Sequence, residues 1–184
     1  MRKVIVSNIV SIDGFIAGPQ GEIDWFAWNE ETADYCKEML ASVGIILFGR
    51  VTYELMAGYW PTATEEDPVI FAAMNNLPKV VFSRTLHAVT WRNARLADSD
   101  LATEINRLKQ QPGKDLVIFG SGSLVAALTE LGLIDDYRFF VTPVILGSGK
   151  VQFTALKERS KLKLIENRTF GTGVVLLRYK PQRG

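Results

Sequence analysis

Short apolar runs alternate with longer amphipathic segments along the first two thirds of the chain. Four runs have the length and the β-branched or aromatic content of buried strands, at residues 4–9, 45–48, 80–82 and 116–119. The segments between them repeat apolar residues every three or four positions, as helices packed on one face do. This alternation predicts an α/β fold.

The C-terminal third is different, because after Gly132 only strand-like segments follow. Residues 162–169 and 174–179 flank a glycine-containing turn, which is the pattern of an antiparallel hairpin. Pro143 interrupts the strand predicted at residues 137–145, so we expect an edge, a bulge or a bend there. No repeat or linker divides the chain, and residues 1–184 are expected to form a single domain.

Helix ends are indicated by capping residues. Asn29 precedes two glutamates and is a predicted N-cap, and Asp67 before Pro68 opens another helix. Gly44 is expected to end the helix that begins after Asn29. Cys36 lies on the apolar face of that helix and is expected to be a core residue rather than a nucleophile.

Composition excludes several classes of protein. The chain has 21 basic and 20 acidic residues and a net charge of +1, which gives no electrostatic reason to expect nucleic acid or an anionic membrane as a partner. No apolar run approaches the roughly 18 residues of a membrane span. With one cysteine, Cys36, and one histidine, His87, no disulfide and no Cys or His metal site is expected. A reducing cytoplasm fits this composition best.

A turn of small residues joins the strand at residues 116–119 to the next helix. The turn consists of Gly120, Ser121, Gly122 and Ser123, and Leu124 begins the apolar side of the helix. Such a turn lets an anion lie on the backbone, where the helix N-terminus and its dipole favour phosphate. The alternative is that the glycines serve tight turn geometry only.

Two further strand ends carry similar residues. Gly49, Arg50, Val51 and Thr52 follow the strand at residues 45–48, and Ser83 and Arg84 follow the strand at residues 80–82. Guanidinium and hydroxyl groups beside helix N–H groups suit an anion. In open α/β sheets, ligands bind at the carboxyl edge, so we expect the three ends to form one site.

A carboxylate and an aromatic cluster follow the first strand. Asp13 is either an acid or ligand-binding group at the end of the sheet, or a turn residue that bonds its own backbone. The aromatic residues at positions 25–28 suit either core packing or the wall of a flat pocket, and Trp25 is the best pocket candidate.

Taken together, these segments resemble the dihydrofolate reductase fold, and within it the reductase domain of bacterial riboflavin biosynthesis. The matching segments are Ser11-Ile12-Asp13-Gly14, residues 49–54, Ser83-Arg84, residues 120–123, and residues 142–149 followed by Phe153. The resemblance implies a three-layer α/β sandwich, with a mostly parallel sheet of about eight strands and an antiparallel C-terminal hairpin. It also implies an NADPH pocket across the carboxyl edge of the sheet.

The resemblance further implies roles for individual residues. The cofactor's phosphates would lie on residues 49–52 and on the turn at residues 120–123, with Leu124 behind it, and Ser83 and Arg84 would read the adenosine 2′-phosphate. Val144 and Leu146 would pack near the nicotinamide. Around the substrate the resemblance places Asp13, Trp25, Tyr59 and Trp60.

The implied activity is an NADPH-dependent reduction of a C=N or C=O carbon in a small heterocycle, similar to 5-amino-6-(5-phosphoribosylamino)uracil reductase or dihydrofolate reductase. Asp13 or a bound water would supply the proton. Two alternatives stay open: a non-catalytic nucleotide-binding or regulatory protein on the same fold, and a true dihydrofolate reductase. A homodimer is expected, because the resemblance places the C-terminal strands at a subunit interface.

Overall fold

The computed structural model describes residues 1–154 and 156–182. Its strands are β1 (Val4–Ser11), β2 (Phe15–Ala17), β3 (Val43–Gly49), β4 (Lys79–Phe82), β5 (Ala94–Leu96), β6 (Asp115–Phe119), β7 (Asp136–Thr142), β8 (Lys150–Val151), β9 (Leu162–Thr169) and β10 (Val175–Pro181). Its helices are α1 (Glu30–Ala41), α2 (Arg50–Tyr59), a 3₁₀ turn (Trp60–Thr62), α3 (Pro68–Asn76), α4 (Leu101–Gln110) and α5 (Gly122–Glu130).

Eight strands form one sheet in the order β5-β4-β3-β6-β1-β7-β10-β9. Neighbours from β5 to β7 are parallel, whereas β10 runs antiparallel to both β7 and β9. β2 and β8 form a separate antiparallel pair. The predicted α/β architecture with an antiparallel C-terminal hairpin is therefore confirmed.

Helices cover both faces of the sheet and give three layers. Successive strand residues point to opposite faces, so Phe48 packs with α1, α2 and α3, while Leu47 packs with α4 and α5. The first core cluster includes Met39, Tyr53 and Met74, and the second includes Ile105, Leu108, Val125 and Leu128. Apolar residues on both faces of the central strands explain their continuous apolar runs.

Most capping predictions agree with the structure, and one helix end differs. The Asn29 side chain accepts a hydrogen bond from the Thr32 N–H and caps α1, and Asp67 caps α3 in the same way. The prediction that Gly44 ends α1 is wrong, because Gly44 lies inside β3. Ser42 ends the helix instead, since its hydroxyl donates to the Met39 carbonyl at 2.7 Å.

Cys36 is half-buried on α1 and packs against the core, and burial raises the pKa of its thiol to about 12. Its ionised form is therefore rare at neutral pH, which fits an inert core position. His87 is exposed. Within the described residues, no group of three or more His, Cys, Asp or Glu side chains has metal-binding geometry, and no helix has the length and apolar character to cross a membrane.

Candidate functional site

The carboxyl ends of three adjacent parallel strands lie side by side. β4, β3 and β6 are consecutive in the sheet, so Gly49 at the end of β3 lies at one edge with Ser83 and Gly120, which follow β4 and β6. The predicted convergence of these segments is therefore present. Leu124, in the first turn of α5, is buried in the core behind the glycine turn.

The turns after β3 and β6 are locked together by hydroxyl groups. The Gly49 N–H donates to the Ser121 hydroxyl at 2.8 Å, and the Ser121 N–H donates to the Thr52 hydroxyl at 2.9 Å. Each hydroxyl accepts here and keeps its own hydrogen for another acceptor. The starts of α2 and α5 are consequently joined by two hydrogen bonds.

The side of each turn glycine where a Cβ would lie is packed against other protein atoms. A Cβ on Gly120 would lie 2.9 Å from the Thr52 methyl carbon, and a Cβ on Gly122 would lie 3.0 Å from the Val151 carbonyl oxygen. In this structure the glycines thus allow close packing between turns. Any approach of a ligand depends on the exposed amides at the helix starts.

The two helices that begin at this edge differ from the other α-helices of the described chain. α1, α3 and α4 each have a side-chain N-cap, supplied by Asn29, Asp67 and Asp100. α2 and α5 have no side-chain cap. The first amides of a helix lack an intrahelical acceptor, so α2 and α5 both present N–H groups and positive dipole ends to the same region.

Several of the predicted cofactor residues are exposed, whereas Ser121 and Leu124 at the start of α5 are buried. Arg50 is exposed and its guanidinium pairs with Glu54 at 2.9 Å, and Val51 is 68% exposed. Arg84 is also exposed. Ser83 stabilises its own turn, because its hydroxyl accepts from the Leu86 N–H at 2.9 Å. Ser123 is exposed in the first turn of α5.

A second part of the edge forms where β1 and β7 end. The Asp13 carboxylate accepts from the Leu146 N–H at 3.1 Å and from the Gly147 N–H at 2.7 Å. The Ile12 N–H also donates to the Val144 carbonyl at 2.9 Å. Three of the predicted site residues, Asp13, Val144 and Leu146, therefore belong to two loops that are bonded to each other.

The environment of Asp13 favours its ionised form. Its pKa lies below the ordinary value of 3.8, chiefly because the Ser11 hydroxyl donates to it at 2.7 Å. Partial loss of hydration acts in the opposite direction, and the amides of Gly147 and Leu146 lower the pKa further. A carboxylate that is ionised at neutral pH is a poor source of protons.

The predicted aromatic residues are distributed over separate places. The Trp25 indole N–H donates to the Glu22 carbonyl within its own loop. Tyr59 bonds Glu66, and the Trp60 indole N–H contacts the Met56 sulfur at 3.3 Å. Tyr59 ends the ten-residue helix α2, about 15 Å along its axis from Gly49. These hydrogen bonds do not reach Asp13, and the role of the three aromatic residues at a substrate stays a prediction.

A buried polar group at the end of β7 was not predicted. Thr142 ends β7 and is 2% exposed, and its hydroxyl has no hydrogen-bond partner among the described residues. It shares the α1 side of the sheet with Phe140, since alternate strand residues face the same way. Only the folded structure shows that the Thr142 hydroxyl is buried without a hydrogen-bond partner, because nothing in the neighbouring sequence indicates it.

Comparison with known families places the chain. The family model described as RibD C-terminal domain matches residues 2–176, which is nearly the whole sequence. The chain belongs to the RibD C-terminal domain family. This RibD C-terminal domain is 34% identical over 180 residues to the uncharacterized protein YyaP of Bacillus subtilis, with 97% of this chain and 94% of YyaP covered.

Solved structures show the same fold. A putative riboflavin biosynthesis protein from Shewanella sp. PV-4 has a TM-score of 0.79 at 21% identity, with 98% of this chain and 99% of that chain covered. Dihydrofolate reductase from Enterococcus faecalis, solved with NADP(H), has a TM-score of 0.67 at 13% identity, with 98% and 97% covered. These likenesses confirm the dihydrofolate reductase-like architecture expected from the sequence.

Proposed function

We propose that this RibD C-terminal domain is an NADPH-dependent reductase that transfers a hydride to a C=N or C=O carbon of a small pyrimidine- or pterin-like heterocycle. The observation that carries the proposal is the pair of uncapped helix starts, α2 and α5, locked together at the carboxyl edge. Two positive dipole ends with free amides suit the diphosphate of a dinucleotide.

The residues present fit such a cofactor. The amides at the starts of α2 and α5 would bind the diphosphate, and the Thr52 hydroxyl has a hydrogen to donate. Arg84 follows the adjacent strand β4, where its planar guanidinium would pair with a 2′-phosphate. The fold neighbour from Enterococcus faecalis was solved with NADP(H), which supports this choice of ligand.

The substrate would lie on the side of the edge formed by Asp13, Val144 and Leu146. When bound, NADPH supplies the hydride, and the protein orients both reactants and excludes water. Because the Asp13 carboxylate is ionised and holds two loop amides, we infer that a water molecule delivers the proton. Asp13 then acts by fixing the loops beside the nicotinamide.

A second candidate is a nucleotide-binding protein without catalysis. The lowered pKa of Asp13 favours it, because the one predicted acid is then unsuited to proton donation. NADPH oxidation, followed by absorbance against a panel of pyrimidine, pterin and flavin-precursor substrates, separates the two. Turnover of any of these supports the reductase. NADPH binding without turnover of the whole panel supports the non-catalytic protein, and absence of NADPH binding overturns both.

The role of Arg84 is tested by comparing cofactors. Arg84→Ala should raise the Kd for NADPH by about 10- to 100-fold and change the Kd for NADH little, since a charge-assisted hydrogen bond contributes about 1.5–3 kcal/mol. Titration calorimetry with both nucleotides measures this. Arg92→Ala is the matched control, because Arg92 is also exposed but precedes β5 at the opposite edge. Equal losses for NADPH and NADH would refute the assignment.

A further inference from the structure

Asn8 lies where the backbone pairing of β1 with β6 ends. The parallel register runs from Val4 opposite Leu116 to Ser7 opposite Phe119 and then stops. The next residue along β1 is Asn8. The residue that follows the end of β6 is Gly120, where the chain leaves the sheet and forms the glycine turn. Asn8 is 4% exposed, so its polar side chain is buried at this junction.

The Asn8 side chain makes the hydrogen bonds to Gly120 that backbone pairing between β1 and β6 no longer provides at this position. Its carbonyl oxygen Oδ1 accepts from the Gly120 N–H at 2.6 Å, and its Nδ2 donates to the Gly120 carbonyl at 3.2 Å. A carboxamide carries the same donor and acceptor as a peptide group, so it can bond both ends of one residue. Both polar backbone groups of Gly120 are thereby fixed by one side chain.

The turn needs such support because its backbone is unusual. Gly120 has a φ of +61° and Ser121 has a φ of +53°, so two successive residues are left-handed. For a residue with a side chain this conformation costs about 1–2 kcal/mol. It persists only where the surroundings over-determine it. Asn8 restrains the first residue, and the Thr52 hydroxyl bonds the N–H of the second.

Gly120 selects which way the Asn8 amide points, and Gln152 supports that orientation. The Gln152 Oε1 accepts from the Asn8 Nδ2 at 2.6 Å, and Gln152 is also 4% exposed. If the Asn8 amide turned over, the Gly120 N–H would face a donor and the Gly120 carbonyl would face an acceptor in a buried place. The Gln152 oxygen adds one bond to the selected orientation, whereas the Gln152 Nε2 is buried without a hydrogen-bond partner among the described residues.

Gln152 also joins the two halves of the carboxyl edge. It follows β8, and its backbone N–H donates to the Gly14 carbonyl at 3.4 Å, next to Asp13. The carbonyl oxygen of the preceding residue, Val151, packs against Gly122 on the side where a Cβ would lie. The segment at residues 151–152 thus contacts both the glycine turn and the Asp13 loop.

We propose that Asn8, supported by a hydrogen bond to Gln152, is a positioning residue that holds the Gly120 turn so that the first amides of α5 face the diphosphate. The ligand in this inference rests on the proposed function. Because Asn8 is 4% exposed, it acts through the backbone of Gly120. Removing it should leave the fold intact but let the turn relax, and loss of preorganised donors weakens binding.

The test compares Asn8→Leu with Asn75→Leu. Asn75 is a matched control because it is 6% exposed and makes three hydrogen bonds, with Trp60, Phe71 and Trp91, near the start of β4. Both variants should lose stability in urea unfolding. Only Asn8→Leu should raise the Kd for NADPH, by at least about tenfold. An unchanged Kd in folded Asn8→Leu, or an equal rise in both variants, would overturn the inference.

A ligand-free readout separates this inference from the proposed function. Hydrogen exchange followed by NMR should show the Gly120 amide protected in the wild type and at least about tenfold less protected in Asn8→Leu. Gln152→Leu keeps the Asn8 amide but removes its hydrogen bond to Gln152, so it should give a smaller loss and serves if Asn8→Leu does not fold. Undiminished Gly120 protection in both variants would refute the role of Asn8 in holding the Gly120 turn. Absence of NADPH binding by the wild type would refute the proposed function, and the exchange measurement would still test the role of Asn8.

Discussion

At the scale of single residues, Asp13 shows how hydrogen bonds define a role. As a free carboxylate after the first strand, it is a reasonable acid. In the structure three donors hold it, the Ser11 hydroxyl and the amides of Leu146 and Gly147. These donors stabilise the charged form and lower its pKa, so the side chain is suited to tying loops together rather than to releasing a proton.

The loop-tying role of Asp13 predicts a local loss of protection. In Asp13→Asn the NH₂ end offers no acceptor, so the Gly147 amide should exchange several-fold faster at pH 7. Ser11→Ala is the control, because it keeps both carboxylate oxygens on the loop. NMR-detected exchange measures the difference, and equal protection of Gly147 in wild type and Asp13→Asn would contradict the role.

The sign of the pH dependence follows from the lowered pKa of Asp13. Its contribution to stability is present above the ordinary value of 3.8 and is lost as pH falls through the lower folded-state pKa. The Gly147 amide should therefore stay protected from pH 8 to pH 5 in the wild type. The pH profile of turnover over this range should be the same for wild type and Asp13→Asn, because no titration of Asp13 falls within it.

At the scale of elements, the turn before α5 depends on its contact with the start of α2. Gly120 and Gly132 both have left-handed backbones, with φ values of +61° and +63°. A Cβ on Gly120 would meet the Thr52 side chain, which cannot move without losing its bond to Ser121. A Cβ on Gly132 would meet nothing within 4 Å. The two positions therefore separate backbone strain from steric fit.

We expect Gly132→Ala to lower the free energy of unfolding by about 1–2 kcal/mol, from backbone strain alone. Gly120→Ala should lower it by an additional 1–3 kcal/mol or so, because overpacking is added to the same strain. Urea unfolding of both variants gives the difference. If both variants lose the same stability, the α2 and α5 starts are not packed as closely as the structure indicates.

At the scale of the whole molecule, the sheet ends at β9, whose outer edge has no partner strand among the described residues. Leu164 and Ile165 on this strand are 46% and 42% exposed. The strand also carries Lys163, Glu166 and Arg168, but an unpaired edge with two adjacent exposed apolar side chains offers a surface that a second chain can cover. We therefore propose that two copies associate through the C-terminal strands, as the resemblance to related reductases implied.

This association predicts a dimeric mass at micromolar concentration. The double variant Leu164→Lys with Ile165→Lys should shift the molecule toward the monomer, because two charges would oppose each other across the pairing. Leu131→Lys is the control, since Leu131 is 50% exposed at the end of α5. Light scattering after size-exclusion chromatography measures the mass, and a monomeric wild type would refute the proposal.

The sequence alone determined the fold class, most helices and sheet strands, and the strand ends that form the edge, but it did not indicate β2 and it placed the end of α1 wrongly at Gly44. Strands and helices follow from local periodicity, and caps such as Asn29 and Asp67 follow from side-chain chemistry one to three residues away. The sequence also showed which segments carry hydroxyl and guanidinium groups. Local patterns suffice for these features because each depends on near neighbours in the chain.

Only the tertiary structure decided how those groups are used. Asp13 has one local bond, to Ser11, but its bonds to Leu146 and Gly147 reach across more than a hundred residues, as do the hydrogen bonds between Asn8 and Gly120. Asn8 stands out in the sequence only as an amide within an apolar strand, a pattern that does not name its partner. The lowered pKa of Asp13 and the buried Thr142 hydroxyl without a hydrogen-bond partner both depend on contacts that form on folding. These contacts set the chemistry of the edge.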